Sequence, residues 1–411
     1  MALTFFDQPL TAPARLTEGT HRAASLAATW KRFAPLAPAI GLVRLADVTG
    51  LDTIGIPVVS AIRPMGRSLS TQQGKGLTLL AAQVSALMES IETWHAEHLQ
   101  RPVKRGSARS LARSVRVAPV SRLPRGPTPR RKRGAPPRQA LADTVLPWVE
   151  GFELASARPV WVPRDAVTLD CVFGARAPRF DVSSNGLASG NCLVEAILHG
   201  LCEVIERDAE ARWRRTGGQR RLLLDTVRDP ACLALLARFT AAGVRVVVWD
   251  LTSDVGVPVF GCAILEDPDQ PAWRALGLYQ GFGCHLAPEI ALARALTEAA
   301  QTRLTYIAGG RDDFFPFDYD RATDPDLLRQ IWHELANEPY QPVCFDELPA
   351  LATDDLGVDL ERVVQRLAAC NARQVIVVDL GRPDLVDPGG APVPVVKVLV
   401  PGRACDVGGM G

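Results

Sequence analysis

Three segments of the chain share one frame: Ser85-Ala-Leu-Met-Glu-Ser-Ile-Glu92, His199-Gly-Leu-Cys-Glu-Val-Ile-Glu206 and Arg294-Ala-Leu-Thr-Glu-Ala-Ala-Gln301. Each runs polar residue, Ala or Gly, Leu, any residue, Glu, two further residues, then Glu or Gln. Each also follows a glycine-bearing stretch, Gly74-Lys-Gly76, Asn185-Gly-Leu-Ala-Ser-Gly-Asn191 or Gly281-Phe-Gly283. An echo of this kind constrains the fold more than composition does, because a repeated local pattern specifies a repeated supersecondary unit. The expected unit is a glycine turn followed by a helix bearing polar groups at i, i+4 and i+7.

At about 100° per residue these positions fall on one helical stripe. Ser85, Glu89 and Glu92 share a face on the first helix, and Leu80, Val84, Leu87, Met88, Ile91 and Trp94 adjoin it. Glu195, His199, Glu203 and Glu206 align on the second helix, and Arg294, Glu298, Gln301 and Thr305 on the third. A polar stripe is ordinarily a solvated face. Here, however, Glu89/Glu92 and Glu203/Glu206 stack like charges at i, i+3, which destabilises a helix unless something cationic compensates. Clustered carboxylates without His or Cys ligands suit a hard cation, Mg2+ before Zn2+, and Mg2+ prefers to share its shell with phosphates. Lys75, Arg22, Arg207 and Arg294 supply cations for phosphate, and glycine loops opening onto helix N-termini supply N–H donors. The constellation points to a Mg-nucleotide site. Neither G-x-G-x-x-G after a strand nor G-x-x-x-x-G-K-[ST] is present, so the site is not of Rossmann or P-loop type.

Helical periodicity is expected over 78–98, 191–213, 230–241, 288–307 and 356–372. Strand-like Val/Ile runs are expected over 53–62, 159–162, 244–251, 257–265, 374–380 and 393–400. Their interleaving indicates a mixed α/β (α+β) fold, helices laid on sheets, in a single domain over 1–411. Charge interrupts this pattern once. From Gln100 to Ala142 there are thirteen basic residues and no acid, while the rest of the chain carries 33 basic against 45 acidic residues. Proline-rich and poor in apolar residues, 101–139 is expected to be a flexible basic insert. It offers a docking surface for an acidic peptide or partner, but with no aromatic residue to stack bases, specific nucleic-acid binding is not expected. No apolar run approaches the length of a membrane span and the start has no signal-peptide pattern, so a cytoplasmic protein is expected. Nine scattered cysteines without a C-x-x-C pair suit reduced, packed thiols.

At its motifs the chain resembles the YcaO family. The matching segments are Ser85-x-x-x-Glu89-x-x-Glu92; Ser184-Asn-Gly-x-x-x-Gly-Asn191 leading to Glu195 and Glu203-x-x-Glu206-Arg207; and Gly281-x-Gly-x-His285 followed by Arg294-x-x-x-Glu298-x-x-Gln301. Gly19-Thr-His-Arg22, Thr49-Gly-Leu-Asp-x-Ile-Gly-Ile-Pro57, Gln73-Gly-Lys-Gly76 and Gly310-Arg-Asp-Asp313 are similar to the family as well. The resemblance implies a YcaO-type fold with ATP and Mg2+, and an enzyme that phosphorylates the oxygen of a peptide backbone amide before a nucleophile displaces phosphate. It implies Glu89, Glu92, Glu195, Glu203, Glu206 and Glu298 as the metal carboxylates. Asn191, Arg207, Arg294 and Gln301, with Ser85, Lys75 and Arg22, are implied for the nucleotide. Azoline-forming members end in a proline-rich tail and some carry a fused peptide-clamp domain. This sequence ends Val400-Pro-Gly-Arg-Ala-Cys-Asp-Val-Gly-Gly-Met-Gly411, and its build looks most like members that form thioamides with a TfuA-type partner. The expected substrate is a peptide or protein. Azoline formation and non-catalytic binding are the alternatives, and a homodimer is left open.

No enzyme-borne nucleophile is required for such chemistry. His199 and His285 are candidates for a general base. His95 and His98 lie outside the carboxylate stripe and are expected at the surface. Cys192, Cys202 and Cys284 could relay sulfur only if exposed and acidic, and packing is expected instead.

Overall fold

A computed structural model describes residues 3–17, 19–126, 140–172, 178–271, 273–311 and 315–403. The second half of the Gly310-Arg-Asp-Asp313 motif, the tail from Ala404, and 127–139 of the basic insert lie outside these residues.

Two short hairpins, Thr4–Phe5 with Gln8–Pro9 and Arg15–Thr17 with Thr20–Arg22, open the chain. Helix α1 (Leu26–Phe33) leads to β1 (Arg44–Asp47), β2 (Val58–Ile62) and β3 (Thr71–Lys75), a three-stranded antiparallel sheet, and then to α2 (Leu79–Glu97). Strands β4 (Val103–Gly106), β5 (Leu146–Glu153), β6 (Arg158–Pro163) and β7 (Leu187–Ser189) precede α3 (Leu193–Thr216). After β8 (Arg220–Leu222) and α4 (Pro230–Ala241), strands β9 (Val244–Asp250), β10 (Val259–Glu266) and β11 (Tyr279–Cys284) run into α5 (Pro288–Ala308). The chain continues through α6 (Pro325–Asn337), β12 (Gln341–Val343), α7 (Leu356–Ala369), β13 (Ile376–Asp379) and β14 (Val395–Leu399). One sheet has the order β6-β5-β13-β14-β7, with β4 also on β5. Another has the order β11-β10-β9-β8-β12, in which only β8 and β12 are parallel. This is the mixed α/β architecture expected from the sequence.

The caps explain where the long helices start and stop. Thr78 accepts from Ala81 N at the head of α2, and Pro288 occupies the first turn of α5, where a missing N–H costs nothing. Gly309, at φ +57°, ends α5 in the left-handed region that glycine tolerates. The three frame-bearing helices are buried on most of their faces, each in a different apolar cluster: Ala86, Leu87 and Ile91 of α2; Ile197, Leu201 and Val204 of α3; Leu292, Leu296 and Ala299 of α5.

The echoed glycines correct one expectation. Gly74 lies in β3 and Gly281 and Gly283 in β11, so in two of three cases the unit is a glycine-bearing strand followed by a helix. A Cβ on Gly74 would stand 2.0 Å from Ala86 N, and one on Gly283 would stand 2.6 Å from Ala295 N. In the second unit a Cβ on Gly200 would meet Gly186 O at 2.9 Å. Ala86, Gly200 and Ala295 hold the same frame position. The small residue of the frame is therefore the point where helix backbone presses on the glycine-bearing chain before it, and this contact fixes which way the neighbouring polar stripe points.

The basic insert is corrected too. Val103–Gly106 pairs antiparallel with Leu146–Val149, and Ala108, Ala118, Val120 and Leu123 are buried in the main apolar cluster. Arginine-rich composition hides these few apolar anchors, whose wide spacing follows no helical or strand period. His95 is likewise not at the surface: it is fully buried, donating from Nδ1 to Ile91 O at 2.7 Å, while half-buried His98 stacks on Trp94.

Candidate functional site

Because the three units pack alike, their polar stripes meet. Glu89 and Glu92 project from α2, Glu203 and Glu206 from α3, and Glu298 and Arg294 from α5. Lys75, at the end of β3, reaches across to Glu298 Oε2 at 2.7 Å. Backbone donors hold other carboxylates: Cys284 N donates to Glu206 Oε2 at 2.8 Å, and Ser189 donates to Glu92 Oε1 from both N (2.8 Å) and Oγ (2.7 Å). Glu195 forms a flank with other partners. It accepts from Arg22 Nη1 at 3.3 Å, Ala23 N at 2.8 Å and Asn191 Nδ2 at 3.1 Å. Asn191 is itself tied to Thr29 and Arg32. Gln301 spends its amide N–H on Gln73 O of β3 at 2.8 Å. Arg207 donates to Glu210, and half-buried Ser85 sits one turn before Glu89.

The electrostatics show an excess of buried acid. Burial raises Glu92 to about 8; the Ser189 hydrogen bonds oppose it, and the charges of Glu89 and Glu203 add to it. Glu203 rises to about 7 by burial, opposed by Arg207. Glu206 rises by burial and by the charge of Glu298. Glu89 reaches solvent from one side, yet protein crowds it enough that desolvation raises it to about 7 against the pull of Lys75. Glu298 goes the other way: burial would raise it, but Lys75 and Arg207 outweigh that and hold it below the carboxylate range. Carboxylates that cannot comfortably ionise together are what a bound divalent cation relieves.

The same region is short of acceptors as well. Arg294 Nε–H and His199 Nδ1 are buried without a hydrogen-bond partner among the described residues, although buried donors almost always find one. Arg22 and Arg294 both bear on His199 and, after burial, are what hold its pKa well below the ordinary value. An anionic oxygen-rich group fits such a place, and hard carboxylate oxygens fit Mg2+. Among the described residues no three His, Cys, Asp or Glu side chains are gathered to cage an ion. Mg2+ does not need that, since it takes one or two carboxylates and completes its shell with phosphate oxygens and water.

The sequence-derived residues thus divide. Glu89, Glu92, Glu203, Glu206, Glu298, Lys75, Arg207 and Arg294 form one electrostatic unit; Arg22, Glu195 and Asn191 form its flank; Gln301 is anchored to β3, and Ser85 adjoins Glu89. Neither His199 nor His285 suits a general base, because burial keeps both well below the usual range and each ring accepts a hydrogen bond, His199 from Arg294 and His285 Nδ1 from Ala287 N. Cys284 is buried and its thiol pushed well up by burial and by Cys202, which fits packing and not relay. Sequence reasoning missed Ser189, whose signal was its place inside the Asn185–Asn191 loop. It also missed Lys397, which lowers Glu203 from β14 and has no local signal at all.

Residues 73–404 match the model of the YcaO cyclodehydratase family, which is described as ATP- and Mg2+-binding. An uncharacterised protein from the tfuA 3′ region of Rhizobium leguminosarum bv. trifolii is 36% identical over 400 residues, covering 94% of this chain and 90% of its own. An uncharacterised Methanothermobacter thermautotrophicus protein is 35% identical over 387 residues, covering 91% and 92%. Among solved structures, YcaO from Methanopyrus kandleri bound with AMPPCP and Mg2+ superposes with a TM-score of 0.71 at 28% identity, covering 95% of this chain and 94% of that one. A heterocyclase in complex with substrate and cofactor superposes at 0.72 and 23% identity, covering 95% and 54%, a likeness of fold. The chain belongs to the YcaO family.

Proposed function

We propose that this protein converts a backbone amide of a peptide or protein into a thioamide, using MgATP and a TfuA-type partner. The observation that carries the chemistry is the convergence of five buried or recessed carboxylates with Lys75, Arg207 and Arg294. The observation that favours sulfur is the relative from the tfuA 3′ region, which aligns over nearly all of both chains. An amide oxygen is a poor leaving group, and ATP supplies the phosphoryl group that turns it into phosphate. Hydrosulfide then forms the C–S bond as the C–O bond breaks. Lys75, Arg22, Arg207, Arg294, Asn191, Gln301 and Ser85 would hold and orient the nucleotide, and Glu89, Glu92, Glu195, Glu203, Glu206 and Glu298 the metal. The recessed setting keeps these charges strong by excluding water, so positioning and charge neutralisation supply the rate enhancement.

The test is mass spectrometry of candidate peptides incubated with the protein, MgATP, a TfuA-type partner and sulfide. Replacement of oxygen by sulfur with stoichiometric ADP is expected. Loss of water without added sulfide would replace this reading with azoline formation, the reaction to which the family description and the heterocyclase fold point. No change in any peptide, with nucleotide still bound, would leave a binding protein.

A further inference from the structure

Arg294 holds in α5 the frame position that His199 holds in α3, and the two meet. Arg294 Nη1 lies 3.3 Å from His199 Nε2, and this is the hydrogen bond Arg294 makes among the described residues. Two other buried or half-buried arginines near the site are held by carboxylates. Arg303, nine residues on in the same helix, is clamped by Asp52 and Glu266, and Arg207 is held by Glu210. Guanidinium has donors and no acceptor, so the imidazole must offer a lone pair at Nε2. The ring is then neutral, with its proton on Nδ1, because a protonated ring would set N–H against N–H.

We propose that His199 is a positioning residue that fixes the Arg294 guanidinium with a neutral acceptor in place of a directly bonded carboxylate, leaving its remaining N–H donors for an anionic phosphoryl group. A carboxylate in the same place would orient Arg294 equally well but would cancel the charge the ligand needs. The buried Nε–H of Arg294, without a partner among the described residues, is a donor left over. Burial and the nearby Arg22 and Arg294 charges keep the ring neutral, so the arrangement persists across the physiological pH range. This inference rests on the Mg-nucleotide reading of the site.

The experiment is calorimetric binding of Mg·AMPPCP to the full chain, with circular dichroism to confirm folding of each variant. His199→Leu should weaken binding about tenfold or more, the value of a hydrogen bond to a charged group. His199→Gln, whose amide oxygen can take the place of Nε2, should recover affinity to within about threefold, a residual well inside one neutral hydrogen bond. His199→Glu should bind no better than His199→Leu. In an Arg294→Met background, His199→Leu should cost nothing further, since coupled residues are not additive. Wild-type affinity in His199→Leu or His199→Glu overturns the proposal, as do losses that multiply in the double variant. Should His199→Leu fail to fold, the Gln and Glu variants decide alone. Failure of the wild-type chain to bind Mg·AMPPCP would instead overturn the reading of the whole site.

Discussion

Glu298 and its four neighbouring carboxylates titrate in opposite senses, and that asymmetry is a residue-level statement about function. Lys75 holds Glu298 ionised, while Glu89, Glu92, Glu203 and Glu206 are raised towards neutrality by burial. Glu206→Gln and Glu298→Gln keep shape but remove charge. Each is expected to abolish Mg-dependent AMPPCP binding in calorimetry while leaving the circular dichroism spectrum intact, and wild-type affinity in either would refute the site. His95 gives a separate stability prediction. Burial lowers it to about 4, and its Nε2 has no partner among the described residues. The unfolded chain binds this proton near the ordinary value of about 6.5. His95 therefore adds stability above that pH and loses it as pH falls towards 4, with a slope of up to about 1.4 kcal/mol per unit and no further loss below. His95→Gln should flatten that segment of the denaturation free energy plotted against pH; an unchanged slope would show that other groups carry it.

At the scale of elements, legibility depended on whether the signal was local. Helices α2, α3 and α5 were plain in the sequence because buried Leu, Ile and Ala recur at helical spacing beside the Glu stripe, β9 because Val dominates it, and β10 because an apolar run fills it. Strands β3, Thr-Gln-Gln-Gly-Lys, and β11, Tyr-Gln-Gly-Phe-Gly-Cys, were read as glycine turns. Their strand state is set by partners elsewhere, β2 and β10, and by the helices that press on their glycines, none of which a local window shows. The candidate residues Glu89, Glu92, Glu203, Glu206, Arg294, Glu298 and Gln301 were legible from the repeated frame, whereas the hydrogen-bond partners Ser189, Gln73 and Cys284 came only with the packing. The basic insert failed for a related reason, since Leu123 and Val120 are single apolar anchors among arginines. Leu123→Ala should cost about 2–5 kcal/mol by chemical denaturation, and deleting 101–139 should lower the melting temperature by several degrees. A neutral Leu123→Ala would return the segment to the status of an unpacked loop.

Across the whole molecule, the cluster draws Lys75 from the three-stranded sheet, Ser189 from the sheet containing β7, and the Cys284 amide from β11, so its geometry holds only if these layers keep their relative places. One buried network shows how two of them are tied. Arg303 of α5, fully buried, donates to Asp52, just before β2, at 2.8 and 3.0 Å, and to Glu266 of β10 at 2.5 Å. Arg274 shares the same carboxylates from the outside. Replacing Arg303 with Met keeps the volume but leaves Asp52 and Glu266 desolvated beside each other with only the more exposed Arg274 to answer them. Breaking a buried pair by removing one partner costs about 3–5 kcal/mol. We therefore expect Arg303→Met to lose stability on that scale by urea denaturation. Hydrogen bonds from Arg303 and Arg274 hold Glu266 below the carboxylate range against burial, so its contribution is present above the unfolded carboxylate pKa and is lost as pH falls through the lower folded value. The variant's deficit should accordingly shrink in acid. The Arg303 side chain hydrogen-bonds to Asp52 and Glu266, neither of them assigned to the nucleotide, so a loss of Mg·AMPPCP affinity in the folded variant would travel through the placement of α5 and Glu298 relative to Lys75. Full affinity in a destabilised variant would show that the site keeps its geometry without this tie, and a deficit constant from neutral to acid pH would remove Glu266 from the account.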